Sequence, residues 1–498
     1  MMVIHSLKPL IVLGVAAAAA VLILLSRKRP NTREFWSILA GAVNFFIVLS
    51  MAPDVLAGNT LEIVLMSFAP GLSMTLRVDA LGLMFALTAS FLWILTTIYS
   101  IGYMRSLNEH AQTRYFACFA GAVSATMGAA FAGNLLALYL FYELITMITY
   151  PLVSHKDTPE AYAGGKKYIT YLLGTSKLFL LPAVVLTYVI AGTLEFSRTG
   201  ILHGGDPVLL TVVYALFIAG FAKAAIMPLH NWLPSAMVAP TPVSALLHAV
   251  AVVKVGVFSI LRVILYVFGT GTLKALGLGM VTAYVVSFTI ITASVIALTK
   301  DNLKARLAYS TISQLSYIVL GAALLTPSGI TGGVIHITNH AFAKITLFFC
   351  AGSIYAVAHK SNISEMSGIG RKLPWTMVAF SIAVLGMIGA PPAGGFATKW
   401  YIAVGTMEAG SMVILLVLLA STVLNAAYFL PIVYTAFFRE SQEARGHHGH
   451  GDELHHDAHH EDIKENPYIA VPLVISAIGS LALGFYPDVL LSFIRGIL

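Results

Sequence analysis

The chain has 498 residues, of which 58% are hydrophobic and only 10% charged, with a formal net charge of +7. A soluble domain carries about 25% charged residues, so this composition excludes a soluble globular protein and defines an integral membrane one. The basic residues sit in short connections between apolar runs and form no single patch, which argues against nucleic acid as a partner.

The first apolar run, at about residues 9–26, has only Lys8 as a basic flank and no convincing cleavage site, so it reads as a retained helix. Runs long enough to cross a bilayer as helices follow at about 35–57, 79–104, 113–132, 134–154, 163–191, 208–228, 242–268, 273–299, 303–325, 328–358, 373–390, 411–438 and 467–490. Short extra pieces lie at about 231–239 and 395–409. About fourteen spans with no competing strand alternation predict an all-α polytopic membrane protein. Cys118 and Cys350 stand alone inside apolar segments, so no iron–sulfur ligation is expected, and no metal or cofactor site is predicted.

Orientation follows from lysine and arginine. The connection after span one reads RKRPNTRE, that after span three holds Arg105 and Arg114, and that after span five holds Lys156, Lys166 and Lys167. Lys300, Lys304 and Arg306 follow span nine, Lys360, Arg371 and Lys372 follow span eleven, and Arg439, Arg445 and Lys464 follow span thirteen. The even-numbered connections are nearly free of positive charge. Odd connections are therefore placed in the cytoplasm and both termini outside, in the cytoplasmic (inner) membrane of a prokaryote.

Two spans are interrupted. Span seven carries Lys223 just before Pro228, and span twelve carries GAPPAGGFATKW, with Lys399 just after Pro391 and Pro392. Discontinuous helices at matching places in two halves point to inverted repeats with an ion site near mid-membrane. The predicted division is 1–112 (helices 1–3), 113–268 (first repeat, helices 4–8), 273–438 (second repeat, helices 9–13), 439–466 (a His-rich cytoplasmic loop) and 467–498 (helix 14).

The ionisable residues stranded in apolar helices are the candidate site, because a lysine at a helix centre costs about 2.5–3.5 kcal/mol on insertion scales. Glu143, in LYLFYELITMITYP, is either a proton-handling carboxylate or a pin between helices. Lys223 is its expected countercharge, since an unpaired buried ion neutralises itself. His248 and Lys254 lie six residues apart on span eight and point to different sides of a regular helix, so they would serve successive steps. His248 alone reads equally well as a core residue. His336, His340 and Lys344 recur every four residues on span eleven and share one face, which suits proton hopping helped by Thr338 and Asn339. Zinc is the competing reading there, disfavoured by the missing third ligand and by Lys344. Lys399 becomes the exit group, and Lys177 either bridges Glu143 to Lys223 or snorkels. Asp79 reads as interfacial, and Ser310, Thr311, Ser313 and Gln314 as packing helices or holding water, with packing preferred. The run RGHHGHGDELHHDAHHEDIKEN either binds metal or senses pH, or is a solvated loop.

KAAIMPLHNWLPSAMVAPTPVSALLHAVAVVKVG, DNLKARLAYSTISQLSY, HITNHAFAKITLFFCAG and PPAGGFATK resemble the antiporter-like subunits. This family comprises the proton-pumping membrane subunits of respiratory complex I, the large Mrp Na⁺/H⁺ antiporter subunits and their counterparts in membrane-bound hydrogenases. The resemblance covers roughly residues 75–435. It implies fourteen spans in two inverted five-helix repeats, a Glu143–Lys223 pair, a central Lys254 with His248, His336 and His340 beside it, and Lys399 as terminal group. Lys177 matches no standard family lysine. The expected function is a proton-translocating subunit of an Mrp-type cation/proton antiporter or a related respiratory or hydrogenase complex, without a redox centre of its own. Its partners would be other membrane subunits, H⁺ and, as an open case, Na⁺. The alternatives are a proton-conducting subunit of an inorganic-carbon uptake complex and a structural membrane anchor.

Overall fold

The structure is a computed structural model that describes residues 2–439 and 465–498; the expected His-rich loop falls almost wholly outside them. The chain is predominantly helical, and ten of its described helices are long and apolar enough to cross a membrane. By span these are α1 (Lys8–Leu25), α2 (Pro30–Leu49, extended by a short helix at Ala52–Leu56), α3 (Ala80–Ser106), α5 (Leu135–Val153), α6 (Pro159–Ala191), α8 (Val252–Ala275), α9 (Leu278–Thr299), α11 (Pro327–Ala358), α13 (Met412–Phe438) and α14 (Pro467–Phe485). The other expected spans hold the shorter apolar helices α7 (Pro207–Gly220) and α12 (Pro374–Ile388) and the more polar α4 (Gln112–Ala130) and α10 (Leu303–Ala323).

Local chemistry explains many of the helix starts. Thr158, Asp206, Thr326 and Asn466 each accept a hydrogen bond from a backbone N–H of the following turn, and each precedes a proline at the first helical position. That pairing satisfies an orphan donor with the side chain, while the proline lacks the N–H that would be unpaired.

The predominantly helical class holds, and the structure adds one small sheet to it. β1 (Val3–His5) pairs in parallel with β2 (Thr60–Ala69), which turns at Pro70–Gly71 into antiparallel β3 (Leu72–Val78). Gly71 takes a left-handed φ of +71°, and a Cβ there would lie 2.3 Å from the Gly192 carbonyl oxygen. Arg77 of β3 pairs across the sheet with Glu62 of β2 at 2.5 Å and ties the sheet to Glu195 at 3.3 Å. The alternation in TLEIVLMSFAPGLSMTLRV was legible but was masked by its overall apolar character.

Contacts between connections sort into two groups. One joins the N-terminal strand and the 60–78 hairpin with Glu195, Arg198 and the Gly496 carbonyl, which Arg198 reaches at 2.7 Å. The other joins Arg33 with Gln112 (2.8 Å), Glu109 with His155 (3.9 Å), Lys304 with the Ala239 carbonyl (2.6 Å) and the Thr376 amide with Glu465 (3.1 Å).

Burial is concentrated at the centre. The most apolar window of α8 is 100% buried, those of α3 and α11 78% and 72%, and those of α1, α6, α13 and α14 only 33% each. The core helices α8 and α11 are the ones that carry Lys254, His336, His340 and Lys344.

Candidate functional site

Helix α11 presents His336 and His340 from one face of a continuous 32-residue helix. From α8, Lys254 Nζ lies 2.7 Å from His340 Nδ1, with both residues buried. The His340 and His336 rings are 5.6 Å apart and tilted by 36°. His336 Nε2 is 3.0 Å from Gln314 Oε1 on α10, and the Tyr317 ring lies 5.9 Å from the same imidazole. Beyond it, Lys399 Nζ sits 5.3 Å from the Tyr317 ring centre. The side chains Lys254, His340, His336, Tyr317 and Lys399 therefore make one buried series of contacts across the second half.

Lys399 belongs to the Gly395–Glu408 helix, which follows the break after α12. Its ammonium is bound by the Ile388 carbonyl at 2.6 Å and the Thr422 hydroxyl at 3.0 Å. Ile388 is the last residue of α12, so its carbonyl lacks an intrahelical partner and carries the negative end of the helix dipole. Gly389 leaves room for this geometry: a Cβ there would lie 2.5 Å from Lys399 Cδ. Lys344, one turn along from His340, donates instead to the Ser310 hydroxyl (2.5 Å) and the Leu307 carbonyl (3.2 Å) near the start of α10.

The first half differs from expectation. Glu143 does not take Lys223 as its ion-pair partner; its Oε2 lies 2.9 Å from Lys177 Nζ, which also donates to the Tyr139 hydroxyl at 2.8 Å. Lys177 can reach across because α6 opens into a π-helical turn at Ser176–Leu180, a local widening that re-aims side chains and recurs at functional sites. Lys223, fully buried in a 3₁₀ turn at Ala222–Ala224, donates to the Tyr142 carbonyl and lies 3.4 Å from the Tyr142 ring centre. The two lysines thus flank α5 at adjacent residues, one on the carboxylate and one on the preceding carbonyl. Glu143 Oε1 and His336 Nδ1 are buried without a hydrogen-bond partner among the described residues.

The remaining expected positions sort as follows. His248 lies in the π-helical turn Leu246–Val250, and its side chain is outside the described residues. Thr338 bonds Thr88 at 2.8 Å, and Asn339 donates to the Gly394 carbonyl (2.9 Å) and the Thr398 hydroxyl (3.0 Å), so Asn339 ties down the broken span twelve and does not face the histidines' partners. Asp79 is not merely interfacial. It caps α3 through the Gly82 amide (2.8 Å) and forms an ion pair with Arg262 of α8, whose guanidinium is buried among Phe196, Phe258 and Tyr266. Tyr317, Tyr142 and Arg262 were missed as site or framework residues, and Gln314, read as packing or holding water, was not expected against His336. A glutamine and an arginine inside apolar runs were the available signals; the tyrosines had none.

Comparison with known proteins agrees with this architecture. Residues 132–425 match the family described as NADH:quinone oxidoreductase/Mrp antiporter, TM, and residues 67–116 match the N-terminal segment of complex I chain 5. NADH-quinone oxidoreductase subunit N of Desulforudis audaxviator is 31% identical over 86% of this chain and 85% of its own length. F(420)H(2) dehydrogenase subunit L of Methanosarcina mazei is 30% identical over 94% of this chain and 72% of its own. A chain of the Mrp complex from Dietzia sp. DQ12-45-1b superposes with a TM-score of 0.86 at 21% identity, covering 99% of this chain and 96% of that one. The chain belongs to the NADH:quinone oxidoreductase/Mrp antiporter transmembrane family, and it is an antiporter-like, multi-pass membrane protein.

Proposed function

We propose that this chain is a proton-translocating subunit of a multisubunit Mrp-type cation/proton antiporter or a related respiratory or hydrogenase complex. The carrying observation is the Lys254–His340 contact at 2.7 Å, continued through His336 and Tyr317 toward Lys399. A lysine and an imidazole in direct contact inside an apolar bundle exchange a proton over one hydrogen bond, and imidazole passes it on because its two nitrogens serve as donor and acceptor. Water at the unpartnered Glu143 Oε1 and His336 Nδ1 would complete the gaps, since buried polar groups without protein partners are the places ordered water occupies.

In this reading Lys223 and Glu143 handle protons in the first half, Lys254, His248, His336 and His340 in the centre, and Lys399 at the exit. Lys177 holds or releases Glu143, and Lys344 tunes the charge beside His340. The division into helices 4–8 and 9–13 as inverted repeats is supported by the matching breaks after α7 and α12. The two groups of inter-connection contacts are consistent with fourteen alternating crossings, and the excess of lysine and arginine in the second group supports a cytoplasmic side for it in a prokaryotic membrane. Lys177 supports association with other membrane subunits: its side chain is 56% exposed midway along the 33-residue α6, where contact with lipid is costly. Whether Na⁺ is the counter-ion belongs to the same reading.

The test is proton translocation in membrane vesicles holding the intact complex. Lys254→Met and His340→Ala each lower coupled proton flux at least tenfold while the subunit still co-purifies with its partners. Loss of co-purification in both, with Lys254→Arg also failing to assemble, supports the anchor reading and overturns this one.

A further inference from the structure

Outside the buried series, the structure brings the adjacent residues Glu109 and His110 to His155, which follows 45 positions after His110. Glu109 and His110 lie in the connection between α3 and α4, and His155 lies just after α5. One ligand atom from each of the three falls within 4.8 Å of the others. Glu109 Oε2 is 3.9 Å from His155 Nε2, and the two imidazoles stack with centres 4.8 Å apart. His155 is fully buried, yet among the described residues neither of its ring nitrogens has a hydrogen-bond partner.

An imidazole sealed from solvent with both nitrogens unused is an anomaly, because buried polar groups almost always find a partner. Two imidazoles and a carboxylate converging on one spot are the donor set of a three-ligand zinc site with an open fourth position. We propose that Glu109, His110 and His155 form a site for a divalent transition metal of the zinc class. In tetrahedral zinc, ligand atoms lie roughly 3.3–3.5 Å apart, so the three close up by as much as about 1.4 Å around the ion. His110 and Glu109 have room to do so from their connection.

The surrounding charges favour a dication. Asp157 Oδ2 lies 3.1 Å from His110 Nε2 and is available as a fourth ligand or as an outer-shell acceptor. Of the nearby cations, Arg114 is occupied by the His155 carbonyl (3.0 Å) and by Asp157 (3.1 Å), and Lys304, within electrostatic reach of Glu109, by the Ala239 carbonyl (2.6 Å). Imidazole donors exclude magnesium and calcium, which take oxygen ligands. The site lies twelve residues beyond Glu143, about 18 Å along the helix, so it is separate from the proton-handling groups. A bound ion would join the α3–α4 connection to the end of α5 and fix the end of the helix that carries Glu143.

The His-rich run can itself bind zinc, so the test starts from the full chain with the seven histidines between His447 and His460 changed to Gln. After chelator treatment, this chain in detergent is titrated with Zn²⁺, and then with Mg²⁺ in competition. The expected result is one zinc equivalent, undisturbed by Mg²⁺, with affinity weakened about tenfold or more in Glu109→Gln and His110→Gln as well as in the buried His155→Gln. No zinc uptake by the background chain overturns the proposal. Unchanged affinity in Glu109→Gln and His110→Gln overturns it as well.

Discussion

Lys177 changes what Glu143 can do. Lys177 lies 2.9 Å from one Glu143 carboxylate oxygen and Lys223 sits on the neighbouring Tyr142 carbonyl, so under the proposed function Glu143 has two lysines beside it to compensate. A charge pair that can be made with either of two partners is bistable, which is what a coupled proton step requires. Removing one partner of a contacting pair leaves the other uncompensated, so effects within the pair are non-additive. In vesicle proton-flux assays, Glu143→Gln and Lys177→Met combine with a coupling energy of roughly 0.5–3 kcal/mol. Lys177→Met and Asp54→Asn, which shares no contact with it, combine additively. Additivity in both cycles would remove Lys177 from the machinery.

Helix α12 ends where its Ile388 carbonyl meets Lys399, while beside the break after α7 Lys223 turns to the Tyr142 carbonyl of α5; side-chain donors from elsewhere reach the carbonyls at both breaks. Trp232 Nε1 donates to the Ala222 carbonyl at 2.9 Å beside Lys223, and Asn339 donates to the Gly394 carbonyl at 2.9 Å beside Lys399. Backbone polar groups in a bilayer must be satisfied within the protein, so these donors let the breaks persist. Close approach matters equally. A Cβ on Gly256 would lie 2.3 Å from the Ala224 nitrogen and 2.5 Å from the Lys223 carbonyl carbon, both backbone atoms that cannot swing aside. Gly256→Ala is therefore expected to push the Lys223 turn off α8, at about 1–3 kcal/mol for overpacking. The readout is a lowered unfolding midpoint together with reduced proton flux. Gly14→Ala, with nothing within 4 Å of the new methyl, serves as the neutral control.

At the scale of the molecule, the N-terminal strand, the 60–78 hairpin, Glu195 and Gly496 gather on one side, while Glu109, His155, Ala239 and Lys304 gather on the other. With Cys118 and Cys350 replaced, a cysteine at exposed Ser67 is expected to react with a membrane-impermeant maleimide in intact cells. A cysteine at exposed Glu160 reacts only after permeabilisation. Labelling of both from the same side would overturn the orientation proposed from the basic connections.

Much of this molecule is decided along the chain itself. Hydropathy, N-cap and proline signals and the distribution of lysine and arginine are local properties, and from them follow the spans, the two broken helices and the short list of ionisable residues stranded in apolar helices, including Lys254, His336, His340 and Lys399. What local pattern cannot express is how each helix is rotated and tilted against its neighbours. That rotation puts Lys177 and not Lys223 on Glu143, places Tyr317 between His336 and Lys399, sends Asn339 to the break in span twelve, and carries Asp79 to Arg262. It also brings His155 to Glu109 and His110. Packing density and the need to satisfy every buried polar atom choose among rotations of similar hydrophobic energy, and only the assembled bundle contains that information.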